Sequence, residues 1–511
     1  MDAAGLEGPH NSVSAARFEA VVGLEVHAQL RTERKIFCSC SHSFAAPPNS
    51  EICEICLGHP GALPVLNGEA VDQGVRLALA LEASVDPASR FDRKHYPYPD
   101  LPKGYQITQQ RRPLATGGDL RFDGGTMPIR RLHLEEDTGR LLRRETEDGD
   151  LLDFNRAGVP LVEIVSEPMR VTSSGQAASA LRALHGLLVA AEVSDGRMAE
   201  GSLRCDVNIS LRESGQRGFG ARVEIKNLNS FRHVARALDF EAERQAKLLE
   251  RGEAVVEETR SWNPLRGRTE RLRAKEQAGA YRFLAEPDLG PILIGEAKLK
   301  ALRATLPELP ERRRARYQRI YELDRESAGR LVADRNLSNY LEAVTRSYAG
   351  RGGAAPRAAR WVLNEVLRLQ AGEEGGLSLE ERLDPETLAS LIREVDRGTL
   401  SATAGKVVLL EIWRGEEKDP VAIARRLSLL QESDAERIAG WIEAALKAHP
   451  PQVQAYRAGK VQILGFFVGR VMKLSGGRAR PQEVERLLRR TLGEFGKRDA
   501  GDPPRPGGSE T

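Results

Sequence analysis

Long apolar runs are missing from this sequence. No window approaches the roughly 18 uncharged apolar residues of a membrane helix, so no membrane partner is expected. The opening stretch "MDAAGLEGPHNSVSAARFE" has neither a charged n-region nor an apolar h-region. A secretory signal is therefore not expected; residues 1–17 read as a disordered lead-in, and the expected location is cytoplasmic. Charge of one sign is missing too: 76 basic residues face 73 acidic ones, for a formal net charge of +3. That balance demands no nucleic-acid partner but permits one through local patches. Cysteine is scarce, with five in the chain, yet four fall in one short segment. With no export signal, such clustering favours metal over disulfides. No Walker A motif, Rossmann fingerprint or G-x-S-x-G elbow is present, and "SGQRGFG" reads as a hairpin turn. Any nucleotide chemistry must then be metal-centred on a sheet.

What is present is globular in character. Apolar residues make up 41% of 511, too long a chain for one ordinary core, so two to four domains are expected. Up to about Ile294, alternating runs such as "VVGLEVHAQL", "IRRLHLEED", "LRCDVNISLR" and "ARVEIKNLN" predict strands. Turn clusters such as "TGGDLRFDGG" between them point to hairpins and an antiparallel sheet. Helical pieces intervene at 68–84 and 173–193, and this segregation indicates α+β rather than a βαβ repeat. After Gly295 the pattern turns helical, with a break at "RGGAAP". Short amphipathic helices follow; one, "LDPETLASLIREVDRG", is punctuated by Asp384-Pro385 and Gly398. The ending "GDPPRPGGSET" reads as disordered.

Three constellations carry chemistry. Cys38 and Cys40, then Cys53 and Cys56, form two close pairs separated by twelve residues, which suits four thiolates around a structural Zn²⁺. The plainer alternatives are unrelated buried cysteines or a redox pair at Cys53 and Cys56, while Cys205 reads as a small strand residue. Period-two spacing puts Glu25 and His27 on one strand face, beside Gly23. The same rule pairs Asp206 with Asn208 and Glu224 with Lys226, while Glu135, Glu136 and Asp137 end another strand. Several polar strands facing inward are costly unless they meet a cation or a ligand. Hard oxygens with one imidazole suit Mg²⁺ or Mn²⁺, and Mg²⁺ brings substrate phosphates with it. The alternative is a solvated sheet face. A third stretch, "FDRKHYPYPDLPKGYQITQQ", packs Arg93, Lys94, Tyr96, Tyr98, Lys103, Tyr105 and Gln106 among prolines, as anion- or polar-ligand loops do.

These segments, with "DFNRAGVPLVEIVSEP", "EIKNLNSFRHVARALDFEAERQ" and "AKEQAGAYRFLAEPDL", resemble the GatB family of the tRNA-dependent amidotransferase, in family order over residues 18–290. "WVLNEVLRL" and "FFVGRVMKLSGGRARPQEVERLL" resemble the YqeY-like tail of that family. The resemblance implies an antiparallel cradle like the catalytic domain of glutamine synthetase and guanidino kinases at 18–295, a helical linker at 296–355 and a YqeY-like tail at 356–496, with 497–511 disordered. It implies conversion of Glu-tRNA(Gln) to Gln-tRNA(Gln), or of Asp-tRNA(Asn) to Asn-tRNA(Asn), with ATP. It also implies GatA and GatC as partners in a heterotrimer and ammonia channelled from glutamine.

By the same resemblance, Glu25, His27, Glu135 and Glu136 hold Mg²⁺. Ammonium must also lose a proton before it attacks, and a carboxylate such as Glu136 can accept it. Gly23 leaves room for phosphates; Asp206, Asn208, Glu224 and Lys226 match nucleotide- or substrate-binding motif positions, with Lys226 near the phosphates. Lys94, Tyr96 and Lys103 match a segment associated with the ammonia route. Zinc fits part of the family, since some members lack these cysteines. Arg478 and Arg480 of "SGGRARP" suit a phosphate backbone, and the run Arg312, Arg313, Arg314, Arg316 and Arg319 is a further tRNA-facing candidate or a solvated helix face. Ala280 and Leu284 depart from the family pattern. A non-catalytic zinc-containing tRNA-binding factor, or a ligase acting on a small amine without tRNA, are the competing readings.

Overall fold

The computed structural model describes residues 17–142, 149–274, 281–348, 353–371, 378–415, 417–432 and 434–498. The lead-in before Arg17, the ending after Arg498 and Ala280 lie outside the described residues. The chain divides into two compact units, 1–312 and 313–511. The expected linker at 296–355 is thus shared between them, its first helix, Glu296–Ala304, belonging to the first unit.

The first unit is built on β1 (Phe18–Gln29), α1 (Gly68–Ala80), β2 (Ala88–His95), β3 (Tyr105–Arg112), β4 (Gly125–Glu136), β5 (Pro160–Ser166), α2 (Ser174–Ala190), β6 (Leu203–Glu213), β7 (Val223–Lys226), α3 (Phe231–Glu250), β8 (Glu258–Asn263) and β9 (Arg268–Ala274). An 11-stranded sheet runs in the order β9-β8-β7-β6-β1-β5-β4, continued by short strands at 115–116 and 84–85, with two further strands beside this path, 169–171 against β1 and 119–122 against β4. A 4-stranded sheet joins β2 and β3 to strands at 282–285 and 292–293.

One expectation is corrected here. The large sheet is mixed, because β7 and β8 run parallel. The reason is α3: a helix between two sheet neighbours carries the chain back to the end where the first strand began. Ser230 caps that helix by accepting the His233 N–H.

Alternation gives the sheet one apolar and one polar face. Val22, Leu24, Val26 and Ala28 of β1 are buried with Leu132 and Leu134 of β4, Val162 and Ile164 of β5, Val207 and Ile209 of β6, and Val223 and Ile225 of β7. The apolar stripes of α1, α2 and α3 close over them, through residues such as Val71, Val75, Leu181, Leu188, Val234 and Leu238. The opposite face carries Gly23, Glu25, His27 and Gln29, all half-buried. A side chain's face is therefore decided by parity, and its neighbours by register.

The second unit is helical among its described residues and has two apolar clusters. One gathers residues from Tyr317 to Ala424, with Trp361, Leu363, Leu367 and Leu369 packed against it and Val366 within it. The other gathers Ile438, Ile442, Phe467, Val471, Val484, Leu488 and Leu492. The helix Pro385–Asp396 starts at a capping Asp384, and Gly398 follows with φ of +70°, as its punctuation predicts.

Candidate active site

Register aligns the functional side chains of three neighbouring strands. His27 of β1 stands opposite Glu163 of β5, and Glu163 stands opposite His133 of β4. The resulting contacts are close: His27 Nε2 lies 3.4 Å from Glu163 Oε2 and 3.5 Å from Glu135 Oε1. His133 Nε2 lies 3.0 Å from Glu163 Oε2 and 3.7 Å from Glu135 Oε2. Thr108 donates to Glu135 Oε2 at 3.3 Å from the neighbouring small sheet.

Two triplets therefore converge. Ligand atoms of Glu25, His27 and Glu163 all lie within 4.8 Å of one another, as do those of His133, Glu135 and Glu163. Oxygen donors of this spacing surround a cation with bonds of roughly 2.0–2.3 Å. The electrostatics have the matching character. Burial pushes the Glu25 carboxyl above its ordinary value, as do the charges of Glu163 and Asp206, against the opposing pull of His27. Burial opposes charge on His27, yet its hydrogen bond to Glu163 and the charges of Glu135, Glu163 and Glu25 raise it to about 9. His133 is likewise raised to about 9, against burial, by the Glu163 charge and hydrogen bonds to Glu135 and Glu163. Glu163 is held well below its usual value despite burial, chiefly by His133 and His27. Such a cluster of excess carboxylates has its imidazoles serving as stand-in cations. Asn208 Oδ1 is buried with no hydrogen-bond partner among the described residues, and it stands opposite Gly23. A side chain at Gly23 would meet only Ser166 Oγ at 3.9 Å and Asn208 Cβ at 4.0 Å. Packing does not demand glycine there; its effect is to leave the polar face open beside the cluster.

The next strands continue the polar face. Asp206 stands opposite Glu25, and Asn208 opposite Glu224. Lys226 Nζ reaches Asp206 Oδ2 at 2.5 Å and Glu224 Oε1 at 3.2 Å, and Thr259 donates to Glu224 at 2.9 Å. Although burial opposes it, the charges of Asp206 and Glu224 hold the Lys226 ammonium above its ordinary value. At the strand ends, Arg204 binds the buried Asp137 at 2.8 Å.

Glu136 is not brought to this face. Adjacent strand residues point to opposite sides, and Glu136 instead accepts Lys103 Nζ at 2.5 and 2.6 Å and the Ile107 N–H at 2.8 Å. This pair lines a cavity of about 250 Å³ with Phe37, Cys38, Cys56 and Tyr105. Lys94 lies with its Nζ 4.8 Å from the Tyr281 ring and 5.6 Å from the Tyr96 ring. Burial and the Glu135 charge raise the Tyr96 hydroxyl above its ordinary value. Glu163 and His133 are the residues that sequence reading missed. The signal was present: "PLVEIVSEP" and "RLHLEED" alternate, so Glu163 and His133 each stand out as polar residues among apolar neighbours.

The cysteines converge as their spacing predicts. Sγ atoms of Cys38, Cys40, Cys53 and Cys56 all lie within 4.8 Å of one another, and none is disulfide-bonded. The second pair forms a tight knuckle in which Cys53 N–H donates to Cys56 Sγ at 3.1 Å and Leu57 N–H to Cys53 O at 3.0 Å. The hydrogen bond from Cys38, the backbone of Cys53 and the Lys35 charge lower the Cys56 thiol to about 5. Lys35 is fully buried and also donates to Glu51 O at 2.8 Å. The donor set fits tetrahedral zinc. Cys205 is buried in β6, apart from the knuckle.

In the second unit the two candidate arginines differ. Arg480 donates to Arg397 O at 2.8 Å and to Gly398 O at 3.0 Å, tying loops together. Arg478 is exposed, with its guanidinium 6.0 Å from the Trp441 ring, in a cleft shared with Arg425 and Arg437. Arg316 of the arginine run is bound to Glu342 at 2.6 Å.

Comparison with known proteins agrees with this architecture. Residues 20–300 match the GatB/GatE catalytic domain, and residues 339–492 match the GatB domain. The chain is 46% identical over 483 residues to the B subunit of the aspartyl/glutamyl-tRNA(Asn/Gln) amidotransferase of Anaeromyxobacter dehalogenans (strain 2CP-C), covering 93% of this chain and 99% of that one. It is 44% identical to the protein of the same name from Solidesulfovibrio magneticus, over 94% of this chain and 100% of that one. It is also 44% identical to that of Halorhodospira halophila, over 93% and 99%.

Proposed function

The chain belongs to the GatB family, and we propose that the Glu25–His27–Glu163–Glu135 cluster is the centre at which it prepares a tRNA-bound carboxylate for amidation. As an aspartyl/glutamyl-tRNA amidotransferase component, it converts Glu-tRNA(Gln) to Gln-tRNA(Gln) or Asp-tRNA(Asn) to Asn-tRNA(Asn). A carboxylate is a poor electrophile. Its oxygen therefore attacks the γ-phosphorus of ATP, ADP leaves, and an acyl phosphate remains on the aminoacyl-tRNA. Ammonia then adds to the acyl carbon, inorganic phosphate departs with the C–O bond electrons, and the nitrogen loses a proton to give the amide. The observation that carries this reading is the convergence of those four side chains from three strands. Mg²⁺ held there would neutralise phosphate charge.

The chain's own residues divide the work. Glu25, His27, Glu163 and Glu135 are the residues that would hold the ion, with His133 fixing the two latter carboxylates. Lys226, kept charged by Asp206 and Glu224, meets phosphate oxygens. Gly23 and Asn208 keep the floor open. Lys103 and Glu136, with Lys94 and Tyr96, line the ammonia approach, and Glu136 is the proton acceptor nearest it. Cys38, Cys40, Cys53 and Cys56 would hold a structural zinc, bracing the wall of the cavity that Cys38 and Cys56 line. By resemblance the sheet is a cradle like that of glutamine synthetase and the guanidino kinases, GatA supplies ammonia from glutamine, GatC completes the complex, and Arg478 meets tRNA phosphate. A non-catalytic tRNA-binding factor would have no need of the intact carboxylate–imidazole cluster.

The test is amidation by the complex reconstituted with its partners, given ATP, glutamine and each misacylated tRNA. Amide formation with release of ADP and phosphate is expected, falling by at least about 10³-fold in Glu25→Ala, on the scale of losing one key electrostatic group. Amidation unaffected by that change would overturn the reading, and turnover of small amines without tRNA would favour the free-standing ligase.

A further inference from the structure

Strand β1 has an unbroken neighbour on one side and a divided one on the other. β6 pairs with it along 18–28 without interruption. On the far side β5 pairs with 25–29, while the short strand Met169–Val171 pairs with 20–22. The seam between those two falls at Gly23 and Leu24, immediately before the Glu25 of the cluster. The steps above give this seam no role.

The seam is a built corner. β5 slips against β4 there: Val165 stands opposite Arg131 but Ser166 opposite Ile129, so Arg130 is the extra residue of a bulge. On the outside Arg130 clamps Glu167 through two contacts, at 3.1 and 2.8 Å. The Glu167 N–H donates to Pro128 O at 2.8 Å, and Pro168 has no N–H to place. On the inside, the last ladder pair of β1 with β5 is Glu25 with Val165. One step further the Ser166 side chain takes over, its Oγ accepting the Leu24 N–H at 2.9 Å. Leu24 and Ser166 are both buried. A buried backbone N–H without an acceptor is costly, so this hydroxyl is what lets β1 run on through the seam.

The cluster residues differ in how they are held. His27 and Glu163 face each other in the ladder and touch at 3.4 Å, and Glu135 is held by His27 and by Thr108. Glu25 comes within 4.8 Å of His27 and Glu163, yet among the described residues its carboxylate makes no hydrogen bond or ion pair. Its place is therefore set by its own backbone, and the peptide unit before it ends at the seam. We propose that Ser166 is a positioning residue for Glu25. By accepting the Leu24 N–H it fixes the direction in which Glu25 leaves the sheet, and it ties β1 to β5 three residues beyond Glu163. The inference rests on the metal-centred function proposed above, since it assigns Ser166 the task of keeping one carboxylate of that centre in reach of the others.

The experiment uses the assembled complex, with Mn²⁺ as the probe. Calorimetric titration of wild type, Ser166→Ala, Ser166→Thr and Val162→Ala gives the affinity at the cluster, with Glu25→Ala as the blank for Mn²⁺ bound elsewhere. Steady-state amidation by the same set gives kcat and KM. Ser166→Ala is expected to weaken Mn²⁺ and to lower kcat by about tenfold or more, with KM for aminoacyl-tRNA unchanged, the scale of losing a group that orients a metal ligand. Ser166→Thr keeps the oxygen and restores both. Val162→Ala opens the buried core behind the same strand, so it lowers the melting temperature while leaving Mn²⁺ affinity at the wild-type value. A Ser166→Ala complex indistinguishable from wild type, a defect that threonine leaves in place, or an equal loss of Mn²⁺ affinity in Val162→Ala would each overturn the proposal. A wild-type complex with no Mn²⁺ site that Glu25→Ala removes would instead overturn the function proposed above.

Discussion

Proton competition at the sheet cluster gives a quantitative handle. His27 is raised to about 9 by Glu163, Glu135 and Glu25, so near neutral pH it carries a proton where a metal ligand must carry a lone pair. An incoming metal ion must displace that proton. With a competing group at about 9, the apparent affinity for Mn²⁺ rises about 50-fold from pH 7 to pH 9 and flattens above. The sign follows from the raised value: acid weakens the metal, and binding at pH 7 releases close to one proton per ion. Glu163→Gln removes the carboxylate both imidazoles share, at 3.4 Å and 3.0 Å, so the competing group falls towards an ordinary imidazole. The pH dependence then moves below about 7, while the affinity at pH 9 drops through loss of a ligand. Calorimetric titration with Mn²⁺ in buffers of different ionisation enthalpy reads both affinity and proton release. An affinity flat between pH 7 and 9, with no proton released, would refute the reasoning.

Other consequences are equally open to measurement. In the metal-free chain the stabilisation from His27 and His133 is complete below the unfolded imidazole value of about 6.5. It is lost as pH rises through about 9, so urea midpoints fall across that window; midpoints constant from pH 7 to 9 would contradict it. Lys103→Met strands the buried Glu136 carboxylate and is expected to cost about 3–5 kcal/mol in denaturant unfolding, much of it recovered in Lys103→Met/Glu136→Gln. Equal losses in single and double variants would contradict this. Metal analysis should find about one zinc per chain, absent in Cys56→Ser, with a lowered melting temperature; native protein without zinc defeats the assignment. Arg480→Ala, which breaks ties to Arg397 O and Gly398 O, is expected to lower stability by about 1–3 kcal/mol, whereas exposed Arg478→Ala leaves stability alone and weakens tRNA binding in a salt-dependent way.

Much of this site was legible because parity is local. Alternation alone places Glu25 and His27 on one face and Asp206, Asn208, Glu224 and Lys226 on others of like kind, and register then unites them. The cysteine spacing was equally direct, since two short turns suffice to gather the four sulfurs. Glu163 and His133 were harder. Their polarity is visible, but that they flank His27 follows from pairing between strands more than a hundred residues apart, which no local pattern reports. Glu136 shows the converse: its neighbour Glu135 shares its chemistry, yet strand parity separates them, and Lys103 on the other side claims Glu136. The parallel pairing of β7 and β8 depended on where α3 deposits the chain. The different contacts of Arg478 and Arg480 likewise depended on a loop some eighty residues away, whose carbonyls accept from Arg480, while Arg478 donates to the nearby Ser475 O.

The central claim is that carboxylates and an imidazole from separate strands seat a divalent ion against a triphosphate. Anomalous scattering from crystals of the assembled complex soaked with manganese and a non-hydrolysable ATP analogue tests it directly. A manganese peak among Glu25, His27 and Glu163, bridged to the terminal phosphate, is the expected result. A bound nucleotide whose manganese lies elsewhere, with those side chains untouched, would contradict it.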